Sequence, residues 1–193
     1  MMQGNTACDI TGETMGARDE RHTVEEIYAL PDGKRAELID GVMYDMASPS
    51  RMHQELLMYL SNAVYNHIKA HGGLCEVYPA PFAVFLFNDR YNYVEPDISV
   101  VYDPSKLDDR GCNGAPDWVA EIVSESSRTM DNLIKLGKYQ QAGVREYWIV
   151  DPLSRTVRVY GFAPLAYGEY AFGQPVPSGV LEGLTIDFAD FAV

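Results

Sequence analysis

The stretch PDWVAEIVSESS, residues 116–127, reads as a buried β-strand with one carboxylate in its middle. Residues 118–123 are apolar except for Glu121, as in a strand that is covered on both faces. An ionised carboxylate is costly to bury unless it is paired with a cation or coordinates a metal ion. Glu121 therefore predicts either a structural ion pair or a metal site.

The segment before this strand begins with a short helix and a hairpin. Thr23 and Glu26 have the spacing of a capping box, which predicts a helix from about residue 24 to residue 29. The stretch RAELIDGVMYDM reads as two strands that turn at Asp40 and Gly41, a pair typical of type I′ turns. We therefore expect an N-terminal hairpin extension.

The clearest helix lies within residues 48–73. Ser48 is the predicted N-cap, Pro49 suits the first turn, and Gly72 with Gly73 ends the helix. An apolar stripe at helical spacing predicts the face that packs on the core. The stripe consists of Met52, Leu56, Leu60, Val64 and Ile68.

Further strands and a second helix complete the predicted fold. In chain order we expect strands at 74–79, 82–87 and 93–103, a turn-rich loop at 103–117, a strand at 118–124, a helix at 126–143, strands at 145–152 and 155–162, and one or two edge strands with a short turn at 170–193. This order describes an α/β domain with a mixed central β-sheet flanked by helices.

Composition indicates one globular domain. The chain has 193 residues, 47% of them hydrophobic, so we expect one domain at 23–193 behind a flexible polar tail at 1–22. We expect no membrane span and no secretory signal, since neither apolar pattern occurs. Three cysteines without a CxxC pair disfavour a disulfide framework and a structural zinc site. A cytoplasmic location fits best.

Two acids are candidates to share one metal ion. Pro96 is tolerated at the first position of a strand, which places Asp97 at a strand end. If that strand neighbours the strand of Glu121, both carboxylates converge on one point. Two carboxylates together with waters and a substrate phosphate are the usual way in which proteins hold Mg²⁺.

This arrangement resembles the skeleton of the PD-(D/E)XK nucleases. In that superfamily a lysine normally stands two residues after the acid, where this chain has Val123. The following helix offers Asp131, Lys135 and Tyr139 along one face. Lys135 is then the candidate for a lysine that has moved onto the helix, as is familiar in the superfamily.

Further motifs make the resemblance more specific. The sequence resembles the Uma-two family of restriction-endonuclease-like proteins in motifs that follow the family's order from about Thr23 to the late 180s. They are ELIDG (37–41), SPSRMHQELL (48–57), EPDISVV (95–101), DWVAEIVSESS (117–127), the D, K and Y at 131, 135 and 139, and AGVREYWIVDP (142–152). The resemblance implies a restriction-endonuclease-like fold and a Mg²⁺-dependent phosphodiesterase site.

The resemblance also implies the site residues, and the chemistry gives them roles as a hypothesis. Asp97 and Glu121 would hold Mg²⁺, with Mn²⁺ as a substitute, to polarise the phosphate and acidify a water. Lys135 would orient that water or offset charge on the phosphoryl oxygens. Glu37 is a supporting acid. His53 would act as a proton relay or phosphate contact.

Each assignment has a structural alternative. Glu121 can simply pair with a nearby Lys or Arg, and Asp131 can form an ordinary helix ion pair with Lys135. Lys138 competes with Lys135 as the ammonium that faces the site. Glu37 precedes a turn and can serve only to cap or pair there.

The net charge of −13 bears on the partner. Nucleic-acid-binding proteins usually show an electropositive footprint, so we expect any binding, to DNA first of all, to be weak and salt-sensitive. A modest basic patch is expected from Arg51, Arg128, Lys135, Lys138 and Arg145. A homodimer is expected because such folds commonly pair two sites. The alternative function is a non-catalytic, dimeric binding protein that retains the nuclease fold.

Overall fold

The fold was analysed in a computed structural model that describes residues 21–125 and 127–191. Most of the polar tail predicted at 1–22, including Cys8, lies outside these residues. Cys75 and Cys112 are free thiols. None of the helices in the described ranges has the length and apolar character needed to cross a bilayer.

The chain alternates helices and strands. The helices are α1 (Val24–Tyr28), α2 (Arg51–Ala70) and α3 (Leu136–Ala142), and the last follows directly on a π-helical turn at Met130–Lys135. The strands are β1 (Ala36–Ile39), β2 (Val42–Asp45), β3 (Glu76–Pro79), β4 (Val84–Phe85), β5 (Ile98–Val101), β6 (Leu107–Asp108), β7 (Gly111–Asn113), β8 (Trp118–Ile122), β9 (Glu146–Asp151), β10 (Thr156–Phe162), β11 (Leu165–Ala171), β12 (Val176–Pro177) and β13 (Thr185–Ile186).

A six-stranded mixed sheet organises the molecule. Its strand order is β11-β10-β9-β8-β5-β3, in which β8 and β9 are parallel and every other neighbouring pair is antiparallel. The π-helical turn and α3 connect the two parallel strands, because a parallel pair needs a crossover. The α/β class with a mixed central sheet and flanking helices is confirmed.

Both faces of the central sheet are covered. One face packs against α2 and the C-terminal segment, where Trp118, Ala120 and Ile122 join Leu56 and other buried residues of α2. The opposite face packs against α3 and the small sheets. Because side chains alternate along a strand, Val119, Glu121 and Val123 of the same segment all point to this second face. Glu121 is therefore aimed at α3.

The N-terminal hairpin forms as predicted. Asp40 (φ 52°) and Gly41 (φ 80°) both have positive φ, as a type I′ turn requires. Reciprocal backbone bonds between Leu38 and Tyr93, at 2.7 and 2.8 Å, dock the hairpin onto the segment that leads into β5. This docking brings Glu37 of β1 close to the start of β5.

Some predicted segments were wrong. The run at 82–87 contributes only β4, and the predicted loop at 103–117 contains β6 and β7. In a separate three-stranded sheet, β7 lies in the middle and pairs with both β4 and β6. The final part of the chain pairs more extensively than expected, since β11 begins at Leu165 and forms the edge of the central sheet. Strands β4, β6 and β7 have only two or three residues, which is too few to show the alternation of apolar and polar residues by which a strand is recognised in a sequence.

The start of α2 also differs from its prediction. The N-cap is Ser50, whose hydroxyl accepts a 3.2 Å bond from the amide of His53, and Ser48 lies outside the helix. Met52 is 38% exposed, so it does not belong to the buried stripe, whereas the four other predicted stripe residues are buried.

Replacing the cap tests this assignment. We expect Ser50→Ala to lower the free energy of unfolding by about 1 kcal/mol, because the amide of His53 loses its acceptor at the helix end. Ser48→Ala, two residues away, is the matched control and should change stability by less than about 0.5 kcal/mol. Urea unfolding of the three proteins measures both values, and an equal loss in both variants would contradict the assignment.

Candidate active site

Asp97 and Glu121 lie side by side on neighbouring strands. The register of β5 and β8 pairs Ile98 with Ala120, so the residue before β5 comes beside the residue after Ala120. The amide of Asp97 lies 3.3 Å from Glu121 Oε2, and the amide of Ile122 donates a 2.7 Å bond to Asp97 Oδ2. The pairing of β5 with β8 therefore brings the two acids together, as the sequence predicted.

Lys135 lies between two acids from different parts of the chain. Its Nζ is 2.9 Å from Glu121 Oε1 and 2.8 Å from Glu37 Oε2. Asp131 Oδ1 is a third acceptor at 3.7 Å, and the lysine is only 4% exposed. Docking of the hairpin supplies Glu37, and the crossover between the parallel strands supplies Lys135.

The π-helical turn sets the positions of the groups on the crossover. Asp131 and Lys135 both lie within this turn and both are buried. One turn further along, Tyr139 of α3 donates a 2.6 Å bond to Glu121 Oε1, the same oxygen that Lys135 contacts. π-Helical turns occur often at functional sites, because they shift side chains out of the ordinary helical register.

Burial and charge together determine the protonation of this cluster. Burial raises the pKa of Glu121 well above its usual range, although the Lys135 ammonium opposes the rise. Burial would lower the pKa of Lys135, but the surrounding carboxylates outweigh it and raise that pKa well above its usual range. The pKa of Asp131 is raised by burial as well. The raised pKa of Lys135 favours its charged form, and its ammonium is shared by three acids.

His53 approaches the cluster from α2. Its Nε2 lies 3.1 Å from Asp97 Oδ2, the oxygen that also accepts the amide bond from Ile122. Burial lowers the pKa of His53, but the hydrogen bond and the charge of Asp97 outweigh burial and raise it. The histidine can therefore fix the orientation of the Asp97 carboxylate.

A cavity of about 1000 Å³ exposes this cluster. Its walls are the hairpin, the beginning of α2, the cis Ala80–Pro81 segment and the loop after β8. Most of the charged residues in the lining are acids: Glu37, Asp45, Glu95, Asp97, Glu121, Glu125 and Asp131. Two of the lining residues, Lys135 and Arg35, carry a permanent positive charge, and Arg35 is paired with Glu95. The cavity is therefore strongly anionic.

The basic patch expected from the sequence does not form as a set of unpaired cations. Arg51 pairs with Glu55, Arg128 with Asp151 at 2.8 Å and Arg145 with Asp117 at 3.6 Å. Lys138 pairs with Asp40 at 2.6 Å, and Lys135 is the buried ammonium described above. These pairs neutralise much of the charge that would attract phosphates.

The donor set fits a hard divalent cation. Asp97 and Glu121 offer adjacent carboxylate oxygens, and Mg²⁺ is commonly bound through one or two carboxylates with its remaining positions filled by water and substrate oxygens. Among the residues that the structure describes, no group of three or more His, Cys, Asp and Glu side chains is arranged to hold a metal ion. A bound ion would therefore have only these two carboxylates as acidic ligands and would need water or substrate oxygens as well.

All five predicted site residues face one cavity: Asp97, Glu121, Lys135, Glu37 and His53. Of the two candidate lysines, Lys135 lines the cavity, whereas Lys138 pairs with Asp40 and is not part of the lining. The sequence analysis gave Asp131 only an ion pair with Lys135, placed Tyr139 on the same helix face without a functional role, and did not single out Glu95. The spacing of 131, 135 and 139 was the available signal for the first two, and the adjacency of Glu95 to Pro96 and Asp97 for the third.

Comparison with known proteins places the chain in a family. A curated protein of Synechocystis sp., described only as uncharacterised, is 28% identical over 128 residues, which span 66% of this chain and 66% of that protein. A solved structure described as a "putative nuclease" from Anabaena variabilis shares the fold, with a TM-score of 0.67, 21% identity and coverage of 88% of this chain and 97% of that chain. The model of the Uma2 family, described as "Putative restriction endonuclease", matches residues 24–189. The chain belongs to the Uma2 family.

Proposed function

We propose that this chain is a metal-dependent endonuclease or related phosphodiesterase that hydrolyses phosphodiester bonds of nucleic acid. The observation that carries the proposal is the side-by-side placement of Asp97 and Glu121, with the ammonium of Lys135 2.9 Å from Glu121 Oε1. All three line one cavity that is open to solvent and large enough for a segment of a nucleic-acid strand.

The residues divide the work in the proposed reaction. Bound Mg²⁺ would supply Lewis-acid polarisation of a phosphate oxygen and make the attacking water more acidic. Asp97 and Glu121 would hold the ion, and His53 and the amide of Ile122 orient Asp97. Lys135 orients Glu121 and offsets negative charge that develops on the phosphoryl oxygens. Glu37 holds the ammonium in place.

Cleavage assays test the proposal. We expect supercoiled or single-stranded DNA to be cut in the presence of Mg²⁺ or Mn²⁺ and to remain intact with EDTA, with RNA as a parallel substrate. Asp97→Asn should abolish the cutting, since it weakens the metal site at one of two carboxylates. Activity that survives in this variant would come from a contaminant or another site and would refute the proposal.

A second function is favoured by two observations. Val123 occupies the position at which related nucleases carry lysine, and it is buried in apolar surroundings. The basic side chains named above are paired with acids, which weakens phosphate attraction. A non-catalytic binding protein, assembled as a homodimer, would share the fold and show no metal-dependent cleavage. Sedimentation analysis of the intact chain measures the assembly state in either case.

A further inference from the structure

Three acids from different elements of the fold surround the ammonium of Lys135. Three carboxylate oxygens surround one ammonium at 2.8, 2.9 and 3.7 Å, and they come from β1, β8 and the π-helical turn. Glu37, Glu121 and Asp131 are each at most 4% exposed. Buried charges persist only when they are paired, so the ammonium does for these acids what a bound ion would otherwise do.

Lys135 also restricts the oxygens of Glu121 that are open to a metal. A carboxylate oxygen has two acceptor positions, and Glu121 Oε1 already accepts bonds from Lys135 and from Tyr139. Glu121 Oε2 accepts a 3.3 Å bond from the amide of Asp97 and keeps its second acceptor position for a metal ion that Asp97 would share. A divalent ion that used Oε1 would have to displace the ammonium, and an ion on Oε2 would be repelled by it.

We propose that Lys135 is a tethered competitor of the divalent ion: it occupies the acid cluster in the absence of metal and keeps the metal affinity of the Asp97–Glu121 pair low. The inference rests on the proposed function only in taking that pair as the metal site. Its physical basis is the repulsion between like charges a few ångströms apart in a largely buried cluster, where screening by water is weak.

A competing ammonium would also couple the binding of metal to the binding of substrate. The side chain of lysine is flexible, and its ammonium is a compact charge that can move along the cavity wall. Arrival of an anionic phosphate supplies a new partner for the ammonium and additional oxygen ligands for the ion. Metal and substrate are therefore expected to bind with positive coupling.

Metal titration tests the inference without an activity readout. Mn²⁺ alone is titrated by calorimetry at mildly alkaline pH into the full-length parent, Lys135→Met and Lys138→Met. We expect the dissociation constant of Lys135→Met to be at least tenfold lower than that of the parent. Lys138→Met removes a lysine that pairs with Asp40 outside the cavity, so it should match the parent. Equal or weaker binding by Lys135→Met would overturn the inference.

Lys135→Met leaves three buried acids without their cation, so this variant can fail to fold. A second pair of variants tests the inference in that case. The single variant Asp131→Asn and the double variant Asp131→Asn/Lys135→Met both lack one of the three acids, and they differ from each other only at Lys135. The double variant should again bind Mn²⁺ at least tenfold more tightly than Asp131→Asn.

Glu121→Gln separates the competitor role of Lys135 from the metal site itself. If it binds Mn²⁺ as the parent does, the metal site itself is wrong and the proposed function fails. If it abolishes binding while the lysine variants leave affinity unchanged, only the competitor role fails.

Discussion

Replacing Glu121 by glutamine is expected to lower the rate of metal-dependent cleavage by about 10³-fold or more. The substitution removes one of the two carboxylates that hold the ion, and metal-assisted polarisation contributes several kcal/mol to phosphoryl transfer. Each 1.36 kcal/mol corresponds to a factor of ten in rate, so a loss of about 4 kcal/mol gives the expected effect. Initial rates on a labelled substrate, at saturating Mg²⁺ and Mn²⁺, measure it.

The same variant should remain folded. Its amide oxygen can accept the bonds from Lys135 and Tyr139, and Lys135 retains Glu37 at 2.8 Å. We expect the free energy of unfolding to change by less than about 2 kcal/mol, since the loss of a buried charge offsets the loss of the long 3.3 Å bond from the amide of Asp97, which the glutamine NH₂ cannot accept. Glu55→Gln, on the exposed side of α2, is the control and should keep full activity. Unchanged cleavage by Glu121→Gln would refute the assigned role.

A larger effect on stability is expected at Glu146, a residue that the proposed chemistry does not use. Its carboxylate is 2% exposed and accepts four hydrogen bonds. They come from the indoles of Trp118 (2.9 Å) and Trp148 (2.8 Å), the hydroxyl of Ser178 (2.6 Å) and the amide of Gly179 (2.6 Å). Glu146 thus ties the centre of the sheet to the segment that precedes β13.

Glu146→Gln should lower the free energy of unfolding by about 3 kcal/mol. The glutamine amide nitrogen would face the amide of Gly179 or the indoles, so at least one buried donor would lose its acceptor, and the remaining bonds would lose their charge assistance. Chemical denaturation measures the change. Glu169→Gln, which alters an exposed carboxylate bonded to Tyr167, should change stability by less than about 0.5 kcal/mol. A loss below 1 kcal/mol at Glu146 would show that the four bonds contribute little.

The convergence of Asp97 and Glu121 was predictable because it depends on local rules. Pro96 marks the beginning of a strand, and alternation along β8 fixes the face to which Glu121 points. The one further condition was that the two strands be neighbours, and β5 pairs with β8. The hairpin was predictable for the same reason, because two adjacent residues, Asp40 and Gly41, determine the type of its turn.

Other features depend on contacts that sequence patterns do not encode. The spacing of Asp131 and Lys135 placed both residues on one helix face, but their burial depends on the docking of the hairpin and on a π-helical turn that the sequence did not indicate. The role of Glu146 depends on hydrogen-bond donors that lie as far apart in the sequence as Trp118 and Gly179, and only the folded chain brings them together. The N-cap was placed two residues early because Ser48 and Ser50 are equally good caps by residue type.

The most direct test of the central claim is the position of a bound ion. In crystals soaked with Mn²⁺, we expect an anomalous difference peak within about 2.3 Å of a carboxylate oxygen of Asp97 and of one from Glu121, as hard divalent ions require. A peak at that position in the parent, and its loss in Glu121→Gln, would support the metal-dependent account. Mn²⁺ bound elsewhere, or no ion between these two side chains at saturating concentration, would contradict it.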